Sequence, residues 1–278
     1  MKINNQLLLY DDLCPLCVWY SGLFVKCQLL SPSNRQPFSA ASPKLLSLID
    51  IERGRNEIPL IDPSTGNTKY GLDAILTIIG NRFPHVQKAG NYWPVNWILR
   101  KLYKFISFNR KVVVAKKCSK GQFDCSPEFS IPYRSYLIFF SLLCTLLSLN
   151  AFHQIISSGI IAYKATTVQF QLATVLVLIT WFASSLCMKL RTGIEYLGQV
   201  SMLLILGLLI SSPLLVLNKF ILLPAWFIDG YTLFVFVFIG KEYLRRMHFI
   251  PKPFNRVRLM MLHVSTVFCF IYYLFMVV

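Results

Sequence analysis

Two cysteines three positions apart, Cys14 and Cys17, carry the most specific chemistry in the sequence. They close the run Leu7-Leu8-Leu9-Tyr10-Asp11-Asp12-Leu13-Cys14-Pro15-Leu16-Cys17. The short apolar stretch ahead of the aspartates has the length and composition of a buried central strand. From Pro15 to about Gln28 the apolar positions change to helical spacing, with Leu16, Val18/Trp19, Leu23, Phe24/Val25 and Cys27. The pair is therefore expected where a strand hands over to a helix. The unsatisfied N–H groups and positive dipole of a helix start stabilise a thiolate at Cys14. Pro15 suits the first helical position, where its missing N–H costs nothing. Cys17 falls on the same helix face, within disulfide reach. In thiol–disulfide exchange Cys14 would be the attacking thiolate and Cys17 the resolving thiol. Asp11 is the candidate to take the Cys17 proton during resolution, with Asp12 the second choice. This chemistry needs no metal and no bound cofactor. Two other readings stay open: half of a zinc or iron–sulfur site completed by Cys118 and Cys125, and a retained fold whose thiols do not turn over.

The elements that must position this pair can be read in chain order. Ser31-Pro32-Ser33-Asn34 is a turn, Gln36 to Ala40 a second strand, and Leu45 to Ile51 a short helix. Asn56 to Gly71 reads as a strand, a Pro/Gly turn and another strand, in effect a β-hairpin. A helix starts at Leu72, with Ile75/Leu76 and Ile79 in period. The order β-α-β-α-β-β-α is that of a thioredoxin-like α/β sheet. In that fold a cis-proline opening the hairpin faces the redox pair, and Pro59 stands in the matching place.

Tyr10 to Cys17, then Tyr70-Gly71-Leu72-Asp73-Ala74, then Tyr103 and Asn109-Arg110 ahead of Cys118, resemble the DCC family of thiol-disulfide oxidoreductases. The resemblance covers roughly residues 5–120. It implies a thioredoxin-like fold and an exchange activity through Cys14 and Cys17. Asp12 departs from the glycine that usually follows the motif aspartate.

Composition demands a second kind of structure. The chain has 278 residues, 55% of them hydrophobic, and a positive mean hydropathy, too apolar for soluble domains alone. Basic residues outnumber acidic ones by 9 to 7 over residues 1–90, 9 to 2 over 91–134 and 10 to 3 over 135–278. This excess flanks apolar runs, which favours anionic lipid as the partner and argues against nucleic acid. No apolar stretch with a small-residue cleavage site marks a signal peptide.

Five apolar segments, about 135–156, 168–188, 197–217, 220–240 and 259–278, have the length of membrane spans. Basic residues follow the second span (Lys189, Arg191) and the fourth (Lys241 to Arg258), while the other connections offer only Lys164 and Lys219. By the positive-inside rule the N-terminus is cytoplasmic and the C-terminus outside. Pro224, Asp229 and Gly230 interrupt the fourth span. Asp229 has two readings, a proton or substrate site facing a bundle interior, or a solvated residue near an interface. Over 92–111, Val95, Ile98/Leu99, Leu102 and Phe105/Ile106 form an apolar stripe, with Arg100, Lys101, Lys104, Arg110 and Lys111 largely opposite. This helix either lies on the bilayer or closes the soluble domain. Cys27, Cys144, Cys187 and Cys269 read as packing residues, and none of the four histidines has a partner at ligand spacing.

The expectation is thus a thioredoxin-like domain (1–90), a basic amphipathic helix and linker (91–134), and an all-α transmembrane bundle (135–278). The protein would be a multi-pass inner-membrane thiol–disulfide oxidoreductase acting on an unidentified thiol or disulfide protein, with Cys14, Cys17, Asp11 and Pro59 as its site. The competing expectation is an accessory subunit of a membrane complex, docking through a redox-inactive domain. A transporter-like bundle centred on Asp229 is the third.

Overall fold

A computed structural model describes residues 6–114, 127–159, 166–250 and 256–273. Cys118 and Cys125 lie outside them. The chain divides into two compact units, Met1–Tyr133 and Arg134–Val278.

The first unit is built on a mixed four-stranded sheet of β1 (Leu7–Tyr10), β2 (Arg35–Pro37), β3 (Pro59–Ile61) and β4 (Thr68–Tyr70). Its order is β2-β1-β3-β4, with β2 parallel to β1 and the other two pairings antiparallel. β1 is central, and its uninterrupted apolar run suits a strand covered on both faces. Leu8 packs with Phe24, Leu30, Ile58, Leu60, Ala74 and Ile78, while Leu9 packs with Phe38, Leu45, Ile49 and Ile61. Adjacent strand residues point to opposite faces, so two leucines nucleate two half-cores. The helices are α1 (Pro15–Lys26), α2 (Pro43–Leu46), α3 (Ile51–Asn56), α4 (Gly71–Gly80), α5 (Pro84–Asn91) and α6 (Trp93–Val114).

Several expected elements move. The helix expected at 45–51 is two short ones, each started by a side-chain cap: Ser42 accepts the Leu45 N–H and Asp50 the Arg53 N–H. The second strand stops at Pro37, where a 3₁₀ turn over Phe38–Ala40 takes over. α1 ends in a Schellman motif, with the Gln28 N–H on the Val25 carbonyl at 3.0 Å and the Leu29 N–H on that of Phe24 at 2.8 Å. Gln28 accordingly sits at φ +57°. α6 packs against α1, α4 and α5, the domain-closing reading of that helix.

The second unit contains α7 (Ile131–Ile156), α8 (Thr167–Leu186), α9 (Leu190–Phe220), α10 (Ala225–Met247) and α11 (Arg256–Tyr272). Among the described residues α7, α8 and α9 are long and apolar enough to cross a membrane. The α9–α10 break falls at residues 221–224, and Pro224 caps α10 rather than interrupting it. Asp229 lies in the second turn of α10. A Cβ built on Gly159 would come within 2.0 Å of its Oδ1, so the carboxylate sits against the chain just beyond α7. That position is a helix end, not the middle of a span. Where α7 and α9 begin and α10 ends, Arg134 pairs with Glu195 at 3.4 Å, and Arg246 with Glu242 at 2.8 Å and Gln199 at 3.0 Å. The two arginines are buried and their carboxylate partners half-buried, as charges in an apolar helix interior require.

Candidate active site

Residues 11–14 form the turn from β1 into α1. Asp11 holds it closed, accepting the Leu13 N–H on Oδ1 at 3.0 Å and the Cys14 N–H on its carbonyl at 3.3 Å. Cys14 is the N-cap residue, in extended geometry, and Pro15 follows at the first helical position. Arg35 on β2 fixes the helix start. Its Nη2 donates to the Val18 carbonyl at 3.0 Å, its Nε donates to Ser21 Oγ at 3.0 Å, and its guanidinium lies 3.9 Å over the Tyr10 ring. Ser21 in turn donates to the Cys17 carbonyl at 2.6 Å.

Cys14 and Cys17 are free thiols, buried to 8% and 2% exposure. Their sulfurs and a carboxylate oxygen of Asp11 lie within 4.8 Å of one another. Asp12 is engaged elsewhere, accepting the Ser39 hydroxyl at 2.8 Å, so Asp11 is the acid that accompanies the pair. Pro59 is buried and opens β3. Because β3 runs antiparallel to β1, with Leu8 opposite Leu60, Pro59 stands at the sheet end where β1 delivers Asp11. The residue before it is held on both backbone groups: the Ile58 N–H donates to Tyr103 Oη at 3.0 Å, and the Ile58 carbonyl accepts the Gly71 N–H at 2.9 Å. Gly71 has φ +58°, and a Cβ there would stand 3.0 Å from Tyr103 Cε1.

Reading the residues for chemistry missed Arg110, which entered only through the family resemblance. It arrives from α6, 93 residues after Cys17, and its Nη1 lies 3.7 Å from Cys17 Sγ. Nη2 is 4.0 Å from Asp11 Oδ2 and donates to the Arg55 carbonyl. The sequence pattern had placed Arg110 largely on the polar, outward side of its helix. The structure reverses that for Arg110, which is buried with Ser107, whereas Arg100, Lys101, Lys104 and Lys111 stay exposed, as do Trp97, Ile98, Leu102 and Ile106. The surface that α6 meets is polar, made of thiols, Asp11 and the carbonyls of Arg55 and Asn56, the last accepting from Ser107. Hydrophobic periodicity shows that a helix has two faces but not which one its neighbour needs.

These contacts set the charges. The Cys17 thiol hydrogen-bonds to the Cys14 sulfur and pulls the Cys14 pKa down to about 6, against the opposing effect of burial and with help from the Cys17 N–H and Arg110. That same donated hydrogen bond, with burial next, holds Cys17 well above the usual thiol range. The pair is thus split into one thiolate and one thiol. Burial raises the Asp11 carboxyl above its ordinary value, with Arg110 opposing. Burial works against the Arg110 charge, but Cys17, Tyr20 and Asp11 more than offset it. Burial also pushes the Tyr20 hydroxyl, which hydrogen-bonds to Cys17, far above the phenol range, and the Tyr103 hydroxyl up to about 12. The nucleophile therefore has no competing anion from either tyrosine at neutral pH.

Asp11, Cys14 and Cys17 could in principle hold a metal ion with three ligand atoms. The guanidinium 3.7 Å from one of those sulfurs already supplies the positive charge that a cation would bring, and would repel one. The donor set fits thiolate stabilisation better than metal binding. No protein-family model, curated protein or solved structure matches this chain.

Proposed function

We propose that this protein is a membrane-anchored thiol–disulfide oxidoreductase, thioredoxin-like in its first unit and of the DCC type. One observation carries the reading. Two buried thiols lie within 4.8 Å of each other at a strand-to-helix turn with a buried guanidinium 3.7 Å from one of them, an arrangement that favours a thiolate at Cys14 and a thiol at Cys17. The β2-β1-β3-β4 order, with β1–β2 parallel and Pro59 opening β3 at the same sheet end, supports the thioredoxin-like plan.

In the reducing direction the Cys14 thiolate attacks one sulfur of a substrate disulfide. A Cys14–substrate S–S bond forms, the substrate S–S bond breaks, and the departing sulfur takes up a proton. Cys17 then loses its proton to Asp11 and attacks Cys14 Sγ. The mixed disulfide breaks, the Cys14–Cys17 bond forms, and the second substrate sulfur leaves as a thiol. Two electrons and two protons pass to the substrate. Asp11 suits the proton step because burial has raised its affinity for a proton and its oxygen lies within 4.8 Å of the Cys17 sulfur. Arg110 balances the negative charge as it moves between the two sulfurs.

The remainder of the chain holds this site at a membrane. Helices α7 to α11 make five spans on this reading, with Lys189, Arg191 and the basic residues after α10 on the cytoplasmic side of an inner membrane. The exposed Trp97, Ile98, Leu102 and Ile106 edge of α6, with Lys101 and Lys104 nearby, suits the surface of an anionic bilayer. The test is equilibration of the full-length protein in detergent with glutathione redox buffers, followed by alkylation and peptide-level mass spectrometry. A two-electron Cys14–Cys17 transition between about −120 and −270 mV is expected, the span of working oxidoreductases. Cys17→Ser should trap a mixed disulfide with a model disulfide peptide and Cys14→Ser should not. Failure of Cys14 and Cys17 to form a disulfide at any buffer ratio would sink the proposal.

A further inference from the structure

Within the second unit a polar cluster borders a cavity that the oxidoreductase reading does not use. His263 is buried, its Nε2 lies 2.6 Å from Tyr196 Oη, and its Nδ1 lies 2.6 Å from Tyr243 Oη. The two tyrosines come from α9 and α10 and the histidine from α11. A neutral imidazole donates one hydrogen bond and accepts one. One phenol must therefore donate its O–H to the ring while the other accepts the ring N–H and keeps its own O–H to donate.

Burial decides which. Tyr196 is fully enclosed, and among the described residues its hydroxyl has no partner but His263. It can satisfy its O–H only by donating to Nε2, which places the ring proton on Nδ1, pointing to Tyr243. Tyr243 lines a cavity of about 550 Å³ together with His263, Trp181, Gly207 and Gly240. Its O–H is thus left to donate towards that space. The remaining wall is almost wholly aliphatic and aromatic. A donor at the edge of an apolar cavity calls for an acceptor oxygen carried on an apolar body.

We propose that this cavity binds a lipid-soluble carbonyl compound whose oxygen accepts from Tyr243. A quinone ring and the acyl ester of a membrane lipid share that chemistry. Its volume suits a ring system or a stretch of acyl chain.

The experiment uses the full-length protein in detergent with Trp19, Trp93, Trp97 and Trp226 replaced by phenylalanine, so that Trp181 alone reports. Decylubiquinone should quench it saturably. Tyr243→Phe, which keeps the ring and removes only the donor, should weaken binding about tenfold, the effect of one hydrogen bond. Nothing lies within 4 Å of a Cβ built on Gly240, so Gly240→Leu should fill the cavity and abolish binding without moving the backbone. Dioleoylphosphatidylglycerol separates the sources: displacement of the quinone by this lipid identifies an acyl-ester site, and persistence of quenching identifies a quinone site. The proposal is overturned if decylubiquinone and the lipid both fail to bind. It is equally overturned if decylbenzene, which lacks the carbonyl, competes as well as decylubiquinone, or if Tyr243→Phe binds as the parent does.

Discussion

Replacing Arg110 by glutamine removes the cation placed against the thiol pair while leaving a side chain that can still donate a hydrogen bond. The guanidinium is 3.7 Å from Cys17 Sγ, which lies within 4.8 Å of Cys14 Sγ, so its charge is no farther than about 8.5 Å from the nucleophile. At an effective dielectric of about 20, a unit charge at that range stabilises the thiolate by about 2 kcal/mol. This amounts to about 1.4 pKa units, of which screening at the slightly exposed Cys14 leaves about one. From a starting value of about 6, the Cys14 pKa should rise to about 7, which cuts the thiolate fraction at pH 6 about fivefold. The assay is the pH profile of iodoacetamide alkylation of the full-length protein, read at the Cys14 peptide so that the exposed Cys27, Cys187 and Cys269 do not interfere. Arg110→Lys keeps the charge and should restore most of the original profile. Arg110→Gln should also destabilise the first unit by about 3 kcal/mol, since Asp11 and the Arg55 carbonyl lose a buried partner. Sensitivity of Cys17 to alkylation in urea measures that loss. A folded Arg110→Gln protein whose Cys14 midpoint stays within about 0.3 units of the parent would refute the electrostatic argument.

Three further expectations follow from the same contacts. The folded Cys14 pKa of about 6 lies below the ordinary thiol value of 9.0, so its contribution to stability is complete above pH 9 and is lost as pH falls through 6. Denaturation midpoints should therefore rise from pH 6 towards pH 9, and Cys14→Ser should flatten that slope. Cys17 shifts the opposite way, and its contribution is lost as pH rises beyond 9. Gln28→Gly should stabilise the first unit by about 1 kcal/mol, because the residue just after the C-cap of α1 holds a side chain at φ +57°; an unchanged urea midpoint for Cys17 exposure would count against it. Gly71→Ala should cost about 2 kcal/mol, since φ +58° and the 3.0 Å approach to Tyr103 both oppose a methyl group. Its Cys17 should become alkylated at correspondingly lower urea.

The sequence alone determined what depends on neighbours along the chain. Leu7 to Cys17 carried the strand, the turn, Pro15 at the first helical position and the thiol spacing, because strand and helix periods and N-terminal preferences act over a few residues. The Pro/Gly hairpin around 59–70 and the helix from Gly71 were legible for the same reason. So was the membrane character of the second unit, because a span needs only length and apolarity. The ends of those helices were less legible: the third expected span, 197–217, lies within a helix running from Leu190 to Phe220, since the half-buried Glu195 has a partner, Arg134, that hydropathy cannot see. Tertiary structure alone decided which groups meet. It brought Arg110 to Cys17 across 93 residues and buried it with Ser107 on the inner side of α6. It engaged Asp12 with Ser39 and left Asp11 with the thiols. It also set His263 between Tyr196 and Tyr243, 67 and 20 residues away, where no local spacing marks a partner. Local patterns specify elements, whereas a charge or a proton donor acquires its role only from the group that folding sets within a few ångströms of it.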